Sequence, residues 1–118
     1  MKILVLNGPN LNMVGIREQG IYGNRSYGDI VAYIKEEGTK RGHEIEVLQS
    51  NYEGQMIDWF QKAYFENYDG IIINPGAYTH YSYAIHDAIH DIRIPCVEVH
   101  ISNIYARDEF RSHVHNVV

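Results

Sequence analysis

The sequence has a single cysteine, no long apolar run and no surplus of positive charge. Because Cys96 is the only cysteine among 118 residues, the chain cannot build a disulfide framework, which fits a reducing cytoplasm. The N-terminal segment MKILVLNGPN has an apolar stretch too short for a signal peptide or a membrane span. The formal net charge of −5 disfavours non-specific binding to nucleic acid. We therefore predict a cytoplasmic protein with neither nucleic-acid nor membrane partners.

Short apolar runs alternate with amphipathic segments along the chain, a pattern typical of strands alternating with helices. The predicted strands are Lys2–Asn7, Glu44–Gln49, Gly70–Asn74 and 94–100. The predicted helices are 26–41, with Ser26 as N-cap and Gly42 as C-cap, 53–67 and 79–91, and residues 10–24 form a long loop. Repeated strand–helix units imply a parallel sheet with helices on both faces. We predict one α/β domain over residues 1–118.

Polar clusters follow three of the predicted strands. They are Asn7-Gly8-Pro9-Asn10 with Asn12, Asn74-Pro75-Gly76 with His80, and His100-Ile101-Ser102-Asn103. Each alone is compatible with ordinary turn chemistry. The carboxyl ends of parallel strands share one edge of the sheet, where α/β proteins bind their ligands, so the three together predict a functional site.

Two polar residues interrupt the last apolar strand. Glu98 and His100 are two positions apart and therefore point to the same face, whereas Val97 and Val99 fit a strand that is buried on both faces. A carboxylate beside a histidine fixes the tautomer of the imidazole and raises the basicity of the ring. This pattern favours a catalytic histidine, and the alternative is a structural Glu–His pair at a strand edge.

Positive charge for an anionic ligand must be gathered locally, and Arg17, Arg107 and Arg111 are the candidates. His86 and His90 have the i,i+4 spacing of metal ligands, but no glutamate between them completes a zinc hydrolase motif. A phosphate-binding domain would need a glycine-rich loop after the first strand, and residues 8–12 lack those glycines. Metal and nucleotide sites are therefore disfavoured.

Several separate motifs occur in colinear order over nearly the whole chain. They are NGPNLN (7–12), GxRE (15–18), IYG (21–23), QSN (49–51), NPGAYTH (74–80), DA (87–88) and EVHISN (98–103). With these motifs the sequence resembles the type II 3-dehydroquinate dehydratase family. The resemblance implies a flavodoxin-like, doubly wound parallel sheet. It also implies reversible dehydration of 3-dehydroquinate in the shikimate pathway, without metal or organic cofactor, by trimers that assemble into dodecamers.

The resemblance also implies catalytic roles. Tyr22 is the base that takes a proton from the carbon next to the ketone, and Arg17 holds Tyr22 as phenolate once the 10–24 loop closes. His100 is the acid that protonates the departing hydroxyl, with Glu98 behind it. Asn12 holds a water molecule against the developing enolate. A tyrosine with a pKa of about 10 is a poor base at neutral pH without such a cation.

The remaining matched positions are expected to bind the substrate. They are Asn74, His80, the backbone of Ile101 with Ser102, Arg111, and Asp87, which in the family reaches into a neighbouring subunit's site.

Two departures from the family pattern stand out. His86 occupies a position where relatives usually carry arginine. The family also continues after the Arg111 region with a glycine-rich strand and a helix, so we expect the C-terminal strand and helix to be truncated and one sheet face to be left uncovered. An alternative function is therefore a catalytically impaired, flavodoxin-like ligand-binding subunit.

Overall fold

A computed structural model describes residues 1–16 and 25–100. The strands are β1 (Lys2–Asn7), β2 (Glu44–Gln49), β3 (Gly70–Asn74) and β4 (Cys96–Glu98). The helices are α1 (Tyr27–Lys40), α2 (Glu53–Phe65) and α3 (Tyr83–Ile92). Short 3₁₀ helices follow β1 and β3, at Leu11–Met13 and Gly76–His80. The bounds of β1, β2 and β3 agree with the predicted ones, because each is an apolar or alternating run that ends at a polar turn signal.

The four strands form a parallel sheet in the order β2-β1-β3-β4. This is the order of flavodoxin-like sheets, in which the chain reverses its direction of progression between β1 and β3. Asn7 at the end of β1 lies opposite Gln49 of β2 and Asn74 of β3. Glu98 lies opposite Ile73, so the carboxyl ends of all four strands share one edge. The predicted parallel α/β architecture is confirmed.

The main core lies on one face of the sheet. Leu4 and Leu6 pair with Ile71 and Ile73, and alternation along the strands places all four on that face. They form one buried cluster with residues of α2 and α3, namely Met56, Phe60, Ala63, Ile85, Ala88 and Ile89. Helix α1 packs on the opposite face, where a Cβ on Gly38 would lie 2.1 Å from Ile45 Cγ1. Helices therefore cover both faces, as predicted.

The ends of α1 and α2 follow from local chemistry. Ser26 and Asp29 form a capping box at the start of α1, and these hydrogen bonds hold the pKa of Asp29 below its usual value. Gly42 follows the C-cap of α1 with φ +79°. Helix α2 ends at Phe65, two residues before the predicted end, because Asn67 adopts a left-handed conformation (φ +59°).

The third helix begins later than predicted. Thr79 and His80 belong to the 3₁₀ helix, and α3 begins only at Tyr83. The Ser82 hydroxyl caps α3 by accepting a hydrogen bond from the Ile85 N–H at 3.1 Å. The predicted start of this helix at residue 79 is therefore wrong by four residues.

Strand β4 is shorter than predicted, and its apolar residues are not buried on both faces. Cys96 and Glu98 pair with Ile71 and Ile73 and so point to the core face. Val97 and Val99, on the other face, are 58% and 41% exposed. The expectation that both faces of this strand are buried is wrong, because α1 packs at the distant β2 side of that face. The expected truncated fifth strand lies outside the described residues.

Candidate active site

The loops that follow β1 and β3 are in direct contact. The Gly8 N–H donates a hydrogen bond to the Asn74 carbonyl oxygen at 2.7 Å. A Cβ on Gly8 would lie only 2.6 Å from the Pro75 carbonyl oxygen, so this close approach requires glycine. Gly76, with φ +59°, lies against Pro9 and so belongs to the same contact between the two loops. The first two predicted polar clusters therefore form one surface.

Gln49, at the end of β2, joins that surface through its side-chain amide. Its Nε2 lies 3.2 Å from the Gly8 carbonyl oxygen, 3.1 Å from Asn51 Oδ1 and 3.4 Å from Asn12 Oδ1. Asn51 Oδ1 also accepts a hydrogen bond from the Asn10 N–H at 3.0 Å. The QSN motif therefore holds the loop that carries the exposed Asn12, a role that the sequence pattern did not indicate.

Glu98 and His100 lie together as their spacing predicts. Glu98 Oε1 is 3.5 Å from His100 Nε2, and the two side chains are only 11% and 12% exposed. The fully buried Thr79 donates its hydroxyl hydrogen bond to the same Glu98 oxygen. Sequence reasoning missed Thr79, because its partner is 19 positions away and belongs to another element. The hydroxyl of Thr79, the carboxylate of Glu98 and the imidazole of His100 therefore form one largely buried series.

Asn74, the last residue of β3, and His80, which directly follows Thr79, are two predicted substrate ligands. Both are buried, at 7% and 5% exposure. Asn74 Oδ1 accepts a hydrogen bond from the Gly76 N–H at 3.2 Å, which fixes the orientation of the amide. Both residues thus belong to the carboxyl-end surface.

Asp87 occupies a different part of the molecule. It is exposed and lines a groove between α2 and α3, together with Ile57, Gln61 and Ala84. The remaining predicted residues, Arg17, Tyr22, Ile101, Ser102, Arg107 and Arg111, lie outside the described residues.

Two ionisable groups beside the strand ends are held neutral by burial. Burial raises the pKa of the Cys96 thiol to about 12, and the neighbouring Glu98 carboxylate adds to this effect. A protonated thiol is a weak nucleophile, so Cys96 is unsuited to covalent catalysis. Burial also raises the pKa of Tyr27, although its hydroxyl accepts a hydrogen bond from Asn7 Nδ2 at 3.2 Å.

Within residues 1–16 and 25–100, no three histidine, cysteine or acidic residues are grouped as metal ligands. The rings of His86 and His90 lie edge to face, 4.5 Å apart. In the same two ranges, no helix has the length and apolar character needed to cross a membrane.

A flavodoxin-like sheet with a largely buried Glu–His pair at its carboxyl edge defines an α/β protein equipped for acid–base chemistry. Residues 1–117 match the model of the family described as Dehydroquinase class II. The chain belongs to the class II dehydroquinase family. The resemblance seen in the sequence is thereby confirmed.

Individual relatives agree with this assignment. The 3-dehydroquinate dehydratase of Clostridium beijerinckii is 74% identical over 111 residues, which are 94% of this chain and 76% of the relative. The crystal structure of type II dehydroquinase from Butyrivibrio crossotus aligns with a TM-score of 0.91 at 56% identity, covering 97% of this chain and 79% of that one. The enzyme from Propionibacterium acnes aligns with a TM-score of 0.87 at 46% identity, covering 96% and 77% of the two chains.

Proposed function

We propose that the protein is a hydro-lyase that dehydrates 3-dehydroquinate to 3-dehydroshikimate in the shikimate pathway. The observation that carries this proposal is the largely buried Glu98–His100 pair at the carboxyl edge of a class II dehydroquinase fold. The alternative, an impaired ligand-binding subunit, is not favoured, since relatives of 74% and 60% identity are named 3-dehydroquinate dehydratases.

In this proposal His100 is the general acid. Loss of the substrate hydroxyl is slow unless a proton reaches the departing oxygen, and an imidazole is well matched to that task near neutral pH. Glu98 Oε1, 3.5 Å from His100 Nε2, is placed to orient the ring. The low exposure of both side chains strengthens this interaction.

Tyr22 is the proposed base and Arg17 its activating cation, on the strength of the GxRE and IYG motifs. A nearby guanidinium favours the phenolate and so allows a tyrosine to act as a base near neutral pH. Proton abstraction next to the ketone gives an enolate, and Asn12 holds the water molecule that stabilises it. Gln49 supports this role, since its amide contacts Asn12 Oδ1.

The substrate is bound by residues from several elements. We propose that the buried Asn74 and His80, the backbone of Ile101 with Ser102, and the side chain of Arg111 bind it. The contact between the loops at Gly8 and Asn74 supports the role of Asn74, because it fixes the surface from which Asn74 acts. The reaction uses no metal or organic cofactor.

We further propose that the protein works in the cytoplasm as a homododecamer built from trimers. The exposure of Asp87 supports this assembly, because an exposed carboxylate on α3 is free to reach a neighbouring subunit's site. His86, beside it, replaces the arginine usual in relatives and is expected to alter the contacts at that interface.

The proposed function is tested by incubating the purified chain with 3-dehydroquinate and following the absorbance of the conjugated enone in the product. Saturable turnover that is lost in His100→Ala is expected. Binding of an anionic ring analogue without any turnover would instead identify the ligand-binding subunit.

A further inference from the structure

One oxygen of the Glu98 carboxylate has two side-chain neighbours. Oε1 faces His100 Nε2 and also accepts the hydrogen bond of Thr79 Oγ1. A carboxylate removed from bulk water depends on the hydrogen bonds that the protein donates to it. The Thr79 hydroxyl therefore determines which way this carboxylate points.

Thr79 reaches Glu98 from a separate element with its own fixed geometry. The 3₁₀ helix Gly76–His80 is held by a hydrogen bond from the Tyr78 N–H to the Pro75 carbonyl oxygen at 3.3 Å. The Ser82 N–H donates to the Tyr78 carbonyl oxygen at 2.9 Å and closes the following turn. Because threonine is β-branched and this residue is fully buried, its hydroxyl is held in place before any substrate binds.

We infer that Thr79 is a positioning residue for the dehydration step, an inference that rests on the proposed function. Its hydroxyl fixes the Glu98 carboxylate, and the carboxylate in turn holds the His100 imidazole in the orientation needed to protonate the departing hydroxyl. Thr79 has no accessible surface and acts through Glu98 rather than on the substrate. Its loss is therefore expected to lower kcat and to leave KM nearly unchanged.

The test compares variants that differ in the hydroxyl alone or in the methyl alone. Thr79→Val keeps the shape and removes the hydroxyl, and should lower kcat by about 10-fold or more, with KM within about twofold of the parent value. Thr79→Ser keeps the hydroxyl and should retain most of kcat. Thr79→Ala removes the hydroxyl without placing a methyl group against the carboxylate, and the same loss is expected. Parental kcat in Thr79→Val, or equal impairment in Thr79→Ser, would overturn the inference.

A double-mutant cycle separates positioning from general damage to the fold. In Glu98→Gln the added Thr79→Val change should lower kcat by less than about twofold, because both residues serve one function. Ser82→Ala is the matched control, since it removes another buried hydroxyl–carboxylate hydrogen bond, to Glu53, without touching Glu98. It should reduce stability and leave kcat unchanged. Full additivity of Thr79→Val and Glu98→Gln would overturn the inference.

Unfolding measurements test the contact independently of turnover. If the two side chains interact, the loss of unfolding free energy in the double variant should differ from the sum of the losses in Thr79→Val and Glu98→Gln. Absence of turnover in the parent chain would overturn the proposed function and the positioning role with it. An active parent with additive variants would overturn the positioning role alone.

Discussion

The Ser82 hydroxyl joins the starts of two helices: it donates a hydrogen bond to Glu53 Oε2 at 2.6 Å and accepts one from the Ile85 N–H at 3.1 Å. Glu53 is the first residue of α2, and Ser82 is the N-cap of α3. Ser82 is only 1% exposed, so this contact is shielded from water. One side chain therefore sets the relative position of the two helices that cover the core.

Replacement of this cap should cost more stability than replacement of an exposed one. Ser82→Ala removes an N-cap and leaves the partly buried Glu53 carboxylate without this donor, and should lower the free energy of unfolding by about 2 kcal/mol. The matched control is Ser26→Ala, at the exposed N-cap of α1, where we expect the free energy of unfolding to fall by about 1 kcal/mol. Urea denaturation of the two variants provides the measurement. An equal or larger loss in Ser26→Ala would contradict the stated role of the Ser82–Glu53 contact.

The second prediction concerns the general acid. His100→Ala should lower kcat by about 10²–10⁴-fold with only a modest change in KM, because the lost interaction is made in the transition state. The exposed His90 offers a control, and His90→Ala should retain the parental kcat. Steady-state kinetics with 3-dehydroquinate distinguishes the two variants. Parental turnover in His100→Ala would remove the assignment.

The third prediction concerns the base. Tyr22→Phe keeps the ring and removes the ionisable hydroxyl, and should slow exchange of the proton next to the ketone by about 10²-fold or more. Arg17→Ala should be nearly as damaging, and the two effects should be strongly non-additive. Exchange into deuterated solvent measures abstraction separately from loss of the hydroxyl. Tyr52→Phe, at a position that is 73% exposed, is the control and should exchange at the parental rate. Parental exchange in Tyr22→Phe would mean that another group is the base.

The fourth prediction uses two glycines with opposite surroundings. Gly8→Ala places a Cβ against the Pro75 carbonyl oxygen, which belongs to the backbone and cannot rotate away. The substitution should therefore cost about 2 kcal/mol of stability. Gly54→Ala places a methyl group in open space within α2 and should stabilise the fold by about 0.5–1 kcal/mol. The midpoints of thermal and urea unfolding should therefore fall in Gly8→Ala and rise in Gly54→Ala. Tolerance of Gly8→Ala would show that the two loops can separate without loss of stability.

The fifth prediction concerns Cys96. Its pKa of about 12 in the folded chain exceeds the value of about 8.5 for an unfolded thiol. The stability contributed by the protonated thiol is therefore complete below about pH 8.5 and is lost as the pH rises toward 12. Alkylation by iodoacetamide at about pH 8.5 should be at least about 100-fold slower in the folded chain than in urea. Because Cys96 is the only cysteine in the sequence, mass spectrometry of the alkylated protein measures modification at this site alone. Equal alkylation rates in the folded chain and in urea would contradict the protection of the thiol.

The strands could be predicted from the sequence, whereas several contacts of the candidate site could not. Runs such as Gly70–Asn74 identify buried parallel strands by composition, and their polar ends identify the edge where a site forms. Thr79 and Gln49 lie within the NPGAYTH and QSN motifs, but the contacts they make do not follow from the local pattern, because their partners come from other elements of the fold. The start of α3 differs from the prediction because residues Gly76–His80 form a separate 3₁₀ helix, and α3 begins only after its Ser82 cap.

Strand β4 has a polar side chain on its core face and an apolar one on its outer face, and this affects how the strand finds its register against β3. Glu98 lies on the core face, and His100, just beyond the strand, has a side chain that is only 12% exposed. Val97 and Val99, by contrast, are 58% and 41% exposed. A one-residue slip against β3 would exchange the faces, burying the valines and expelling the Glu–His pair. Apolar burial alone therefore favours the wrong alignment, by roughly 25 cal/mol for each Å² of valine surface gained. The contact between Glu98 and Thr79 opposes that slip, so the correct alignment of β4 depends on the same polar side chains that we propose to serve the reaction.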